Sequence, residues 1–432
     1  MAFSPNAGRT ARLRLLGLPA MVAAAAMVLA GCSATPSEPE GPVDLRVALW
    51  SANEAHHAVF NEIADEYIAL HPDLVSSVTF EAYPLAEYQQ ALLTQVSGGD
   101  APDLAWSLNS NSREYIEEGV FADVSEAFKA SEDFDLGDVV DGSLDAWSKD
   151  GGIYAYPFST QPFGLYANLD LLAAAGQPDP RDLIASGDWN WDKVMEMAGA
   201  TADATGEGGV QLQEWSIWVE LATMWDSFGA SPWDKDGNAT FNSPEMVQFF
   251  TWVNENMFEN HAIIRPGETF DFTAGTAAFK IHLLSTSGGL GDQFKWDFLP
   301  LPSGPNGQVN VSNQAAIGVL AQSKHPKAAA DFLTFFTDKA NAQKLSAFFP
   351  QPRTSLLTVA ALSAAAPKMS EEQISGTIIE PAKSAVSLPV HPKYSSFASE
   401  VASSLELISQ PGADVKAILD DLQATVEPLM SR

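Results

Sequence analysis

"GGDAPDLAWSLNSNSREYIEEGVFADV", residues 98–124, sets the frame for the rest of the chain. Gly98-Gly99 ends one helical pattern, Pro102-Asp103 opens an apolar run reaching Trp106, a stretch of Ser and Asn follows, and a helix then runs to a stop at Gly119. Strand, polar loop and helix in that order put polar side chains where a strand end meets a helix N-terminus, the place where open α/β sheets hold ligands. Upstream, Leu45, Val47 and Leu49 alternate with Arg46, Ala48 and Trp50, the period of a strand. Val59, Phe60, Ile63, Tyr67 and Leu70 then recur at helical spacing until Pro72. A second strand around Val78–Phe80 leads into a helix with Leu85, Tyr88, Leu92 and Val96 on one face. The β-α-β-α-β order predicts an α/β sheet.

Beyond Gly151-Gly152, "IYAYPFSTQPFGLYANLDLLAAAG" (153–176) reads as two strand-like runs broken at Pro157 and Pro162, a chain passing from one lobe to another. Helices are predicted near Trp191–Ala198 and Trp215–Phe228. Another starts at Ser243-Pro244, where a capping residue precedes proline at the first helical position. Asp234-Lys235-Asp236-Gly237-Asn238 reads as a hairpin turn: its glycine comes too early, and no glutamate closes the twelve positions of a calcium loop. An aromatic-rich helix pair is predicted over Ala328–Phe349, and a last helix carries Val415, Ile418, Leu419, Leu422 and Val426 on one face. No period of 20–50 residues repeats, which argues against a solenoid or propeller.

The N-terminus has its own pattern. Arg9, Arg12 and Arg14 precede an apolar stretch from Leu15 to Ala30 that is short for a bilayer crossing and contains Pro19, so residues 1–31 read as a secretory signal peptide. Leu29-Ala30-Gly31-Cys32 resembles the lipobox of bacterial lipoproteins, and Cys32 is the only cysteine in 432 residues. A disulfide would need a partner, and a thiol metal cluster several; a lipid tether needs one. Residues 32–43, rich in Ser, Pro and Glu, then form a flexible linker. Loss of the leader leaves 401 residues, enough for two or three domains and a cleft, with 20 basic side chains against 55 acidic. Nucleic acid is a poor partner for such a surface.

Strong catalytic motifs are missing: no P-loop, no dinucleotide glycine turn, no His-Glu-x-x-His and no Gly-x-Ser-x-Gly. The adjacent His56-His57 point to different helix faces, so no metal site and no cofactor is expected. A carboxylate pair for glycoside hydrolysis has no short motif, and a hydrolase stays open as an alternative. The tryptophans carry more information. Trp50, Trp106, Trp189, Trp191, Trp215, Trp218, Trp225, Trp233 and Trp296 fall mainly at element ends beside polar neighbours. Half would serve core packing; the rest suit a sugar, which needs flat aromatic faces for its C–H surface and amides or carboxylates for its hydroxyl rim.

Taken in order, these segments resemble the extracellular solute-binding proteins of ABC importers, the sugar-binding family that includes maltose-binding protein. The likeness covers nearly the whole mature chain. It rests on residues 98–124, on 151–176 with Tyr154, Pro157, Tyr166, Asn168 and Gly176, and on "GDWNWDKVMEMA" (187–198), "FTAGTAAFKIHLLS" (272–285) and "HPKAAADFLTFFTDKANAQK" (325–344). Two positions depart from it: Phe279 stands for the usual Met, and Ser285 where many members carry an aromatic.

The resemblance implies a two-lobed periplasmic-binding-protein-like fold with a hinge and an interlobe cleft. Residues 44–158 and 311–350 would form lobe I, and 159–310 and 351–432 lobe II, with crossings near Ser159, Asn310 and Arg353. It further implies ligand contacts from Glu54, Trp106, Ser107, Asn109, Ser110 and Asn111 in lobe I, from Gln161 in the first crossing, and from Trp215, Ser216, His282 and Ser285 in lobe II. Arg353 would be either a ligand donor or a lobe-packing residue. The implied protein is a monomer tethered through Cys32 on the outer face of the cytoplasmic membrane. It captures a neutral sugar or oligosaccharide, passes it to ABC permease subunits, and makes or breaks no bond. A polyamine or other cationic solute is the alternative that the acidic surface would attract.

Overall fold

A computed structural model describes residues 41–212, 218–365, 367–387 and 390–430. Strand β1 (Val43–Leu49) buries Leu45, Val47 and Leu49 completely, and the helix after it (Glu54–Leu70) buries Phe60, Ile63, Ala64 and Tyr67 at helical spacing. Asn53 caps that helix with its side-chain oxygen on the Ala55 N–H, a contact typically worth about 1 kcal/mol. Strands β2 (Val75–Ala82) and β3 (Leu104–Leu108) flank β1 in parallel, each reached through a helix, as the β-α-β-α-β pattern predicts. A small hairpin, β4 (Ser148–Lys149) with β5 (Gly152–Ile153), precedes β6 (Tyr156–Asn168).

Strand β6 differs from the sequence expectation. Pro157 and Pro162 do not break it: one strand of 13 residues runs through both. Pro162 is tolerated because the partner changes there. Before it β6 pairs antiparallel with β10 (Val311–Val319), and from Phe163 onward with β8 (Ala277–Leu283) and β9 (Trp296–Leu299). A residue with no N–H to offer costs least at such a handover. Strand β7 (Gly208–Gln211) pairs parallel with β8, and the two-residue β11 (Val386–Ser387) pairs with the start of β10, giving a path β2-β1-β3-β10-β6-β8-β7.

The packing divides along β6. One core joins β1, β3 and the first half of β6 to residues 316–349, around Trp106, Trp147 and Phe332. A second joins Phe163, Leu165 and Ala167 to the helices Trp191–Thr205, Pro244–Phe258, Tyr394–Ile408 and Val415–Met430. A third covers the other face of the same β6 segment, with Tyr166, Phe298, Leu362, Ile374 and Ile378. Ser243 caps the Pro244 helix, and Asp234 to Asn238 form a hairpin turn closed by the Trp233–Ala239 bridge, both as the sequence suggests. Strands β8, β9 and β10 carried no clear signal in the sequence. The mixed α/β architecture is two-lobed, with the lobes sharing β6.

Candidate functional site

Parallel strands β1 and β3 deliver their C-terminal ends, and the loops after them, to one edge of the first half. Trp50 follows β1, half-buried, its ring edge-on to Tyr88 at 5.2 Å and to Trp106 at 5.0 Å. Glu54 stands exposed as the first residue of the helix that Asn53 caps. Beyond β3 come a single 3-10 turn, Asn109–Asn111, and the helix Ser112–Glu117.

Within this segment the predicted residues separate by depth. The Trp106 ring is 2% exposed and enclosed by Phe60, Phe158 and Phe349, so it faces the first core rather than solvent. Ser107 is buried and donates to the Leu108 carbonyl, and Asn109 is buried with its Nδ2 unpaired. Ser110 and Asn111 remain partly exposed on the turn. Strand β3 runs between β1 and β10 with both of its faces covered, so Trp106 and Ser107 are buried alike, and past the strand end Asn109 is still enclosed while Ser110 and Asn111 are not.

Gln161 pairs in register with Asn313 of β10, and both are partly exposed. Their neighbours Thr160, Pro162, Ser312 and Gln314 point to the opposite face and line a cavity there. The two amides therefore stand side by side on one face of the crossing strands. Asn313 was missed by the sequence reading; its only signal is its place in a strand that the sequence did not reveal. His282 pairs with Gly164, which puts it on the face of Pro162 and not on that of Gln161. Its Nδ1 shares a hydrogen bond with the Thr286 hydroxyl. Burial, reinforced by Lys280, pushes its pKa down to about 4, so it is a neutral imidazole near pH 7. Ser285 belongs to the 3-10 segment Leu284–Gly289 that follows β8. Trp215, Ser216 and Cys32 lie outside the described residues.

Arg353 is fully buried in the first half. Its guanidinium lies over Phe134 at 4.7 Å and Tyr156 at 5.7 Å, donates to the carbonyls of Thr337 (2.8 Å) and Asp135 (3.3 Å), and faces Asp138 at 3.7 Å. Of the two roles open to it from sequence, packing is the one this geometry serves. Ser355 joins the same cluster through two hydrogen bonds to Asp138. The halves also meet directly at an exposed point, where Ser395 donates to Glu114 at 2.7 Å. Among the described residues no group of three or more His, Cys, Asp or Glu side chains could hold a metal ion.

Comparison with known proteins agrees with this architecture. An uncharacterized lipoprotein of Streptomyces antibioticus is 25% identical over 344 residues, 74% of this chain and 72% of its own length. An ABC substrate-binding protein of Listeria monocytogenes, solved in complex with cycloalternan, superposes with a TM-score of 0.77 at 22% identity over 90% of this chain and 99% of its own. The cyclic alpha-maltosyl-1,6-maltose binding protein of Arthrobacter globiformis gives 0.75 at 20% identity, again over 90% and 99%. Residues 52–343 match the family model described as bacterial extracellular solute-binding protein, and with two-thirds of the chain so matched, the protein belongs to that family.

Proposed function

We propose that the protein is the lipid-anchored receptor of an ABC importer, and that it binds a neutral sugar or oligosaccharide between its two lobes for delivery to membrane permease subunits. The observation that carries the ligand class is the paired amides of Gln161 and Asn313, on one face of β6 and β10 where the two halves join. Amides give and accept hydrogen bonds without charge, as a hydroxyl rim requires. Half-buried Trp50 and the partly exposed Ser110 and Asn111 on the first-half edge support the reading, as do the oligosaccharides named for the two structural relatives. We take the third crossing to fall after Ser355, because Arg353 and Ser355 both pack on the first half.

A thermal-shift screen with maltotriose, a cyclic glucan, lactose and spermidine tests the ligand class, since a ligand that binds only the folded state raises stability by mass action. A saturable rise with an oligosaccharide that is recovered intact after prolonged incubation supports the receptor. A rise with spermidine alone makes it a receptor for cations, and cleaved oligosaccharide makes it a hydrolase.

A further inference from the structure

The crossing segments enclose a cavity on the face of β6 opposite Gln161. Its walls include Thr160 and Pro162 of β6, Gln314 of β10, Gln351 ahead of the third crossing, and Leu357 and Ile378 from beyond it. Two polar atoms of buried type in that wall have no partner, Gln351 Oε1 and Thr160 Oγ1. Gln351 is 1% exposed, and its Nε2 donates to the carbonyls of Phe158 and Phe349, which fixes the amide so that Oε1 is the atom left over. Gln314 is satisfied at both ends, accepting from Trp147 Nε1 and donating to the Ser143 carbonyl, each at 3.0 Å. A buried acceptor left unpaired costs roughly 1–3 kcal/mol, so a donor brought to Gln351 is rewarded.

The size and lining narrow what that donor belongs to. About 30 Å³ is open to the centres of water-sized groups, room for roughly two or three of them. Asp141 is the one charged residue of the lining, which disfavours an anion. Water alone would pair the polar atoms but would make poor contact with the leucine and isoleucine side chains opposite.

We propose that this cavity is a binding site for a small neutral alcohol, whose O–H donates to Gln351 Oε1 and whose oxygen accepts from the Thr160 hydroxyl, with a short alkyl body against Leu357 and Ile378. The site is separate from the amide face proposed for the sugar.

The test is a titration of the methyl-labelled protein with ethanol, whose three non-hydrogen groups match the open volume, read by NMR at Ile378, Leu357 and Val140. The expected result is a saturable shift at these methyls, weakened roughly fivefold in Thr160→Val by loss of one hydrogen bond, and abolished in Ala382→Leu, which fills the cavity. Shifts that grow linearly without saturation, or that persist unchanged in both variants, overturn the proposal. So do water-to-methyl cross-peaks at these positions with no response to the alcohol, which assign the cavity to water. Thr160→Val is close to isosteric, so the test survives if Ala382→Leu fails to fold. No sugar enters the measurement, and its outcome is independent of the function proposed above.

Discussion

Arg353 is a guanidinium at zero exposure, a side chain that is costly to leave unpaired. Its anchoring is divided among two carbonyls, the Asp138 carboxylate and two aromatic faces. Arg353→Ala is expected to lower the unfolding free energy by about 3–5 kcal/mol, the usual cost of removing one partner of a buried pair, while the folded fraction keeps its ligand affinity. Chemical denaturation and calorimetry measure the two quantities. Retained stability with lost affinity would return Arg353 to the binding site.

A second residue-scale effect comes from two groups buried against their charge. His282 is pushed down to about 4 by burial and Lys280, and Asp226 is pushed up to about 6 by burial alone. Between about pH 4 and 6.5, unfolding takes up a proton at His282 and releases one at Asp226. Acidification through that window therefore weakens the fold through His282 and strengthens it through Asp226, each by up to about 3 kcal/mol. Their contributions nearly cancel. Asp226→Asn should lose more stability than the native protein between pH 7 and 4.5, and His282→Gln should lose less, when both are followed by urea unfolding. Parallel profiles for all three proteins would show that neither shift is real.

At the scale of elements, β6 decides the most, and its sequence points to a break that the strand does not have. Gly164 lies beside the end of β9, the antiparallel neighbour of β6, and a Cβ there would come within 2.4 Å of the Phe298 ring and 2.9 Å of the Leu299 carbonyl. Gly164→Ala should destabilise by about 1–3 kcal/mol through overpacking, measurable as a lower denaturation midpoint with an unchanged slope. A midpoint within error of the native value would mean that the ring swings aside freely.

The local elements of the first half could be read because each signal sits within one segment: Leu45 to Leu49 as a strand, Phe60 to Tyr67 as a helix face, Gly99 as a stop. The length of β6 could not, because two prolines argue locally for a break and only the change of partner from β10 to β8 permits continuity. The site shows the same limit. Asn111 and Gln161 could be named because the family resemblance implies contacts at those positions. The enclosure of Trp106 depends on Phe158 and Phe349, which lie 52 and 243 positions away in sequence. Asn313 became a candidate only through its register.

At the scale of the whole molecule, the chain should behave as a tethered two-state receptor. Cys32→Ser is expected to fold normally and to leave the membrane fraction for the medium, as judged by fractionation after a salt wash, because no second thiol can carry the lipid. Retention of the variant in the membrane would disprove the tether. Binding of a confirmed oligosaccharide should reduce the radius of gyration in small-angle scattering, since only a closed form can contact the ligand from both lobes. An unchanged radius would point to a rigid receptor.

The continuity of β6 limits how such a closure can happen. A strand hydrogen-bonded to β10 along its first half and to β8 along its second cannot slide, because a slip of one residue would turn Phe163 and Leu165 out of the second core and break both ladders at once. Opening and closing of the proposed receptor would be taken up as bending and twisting spread along the few residues around Pro162, much as a leaf spring flexes without a pin joint. Such a spring stores elastic energy at one end of its travel and returns it at the other. In the receptor proposed above, the stiffness of this short ribbon would help to set the rest position between open and closed forms, and with it how firmly a ligand is held.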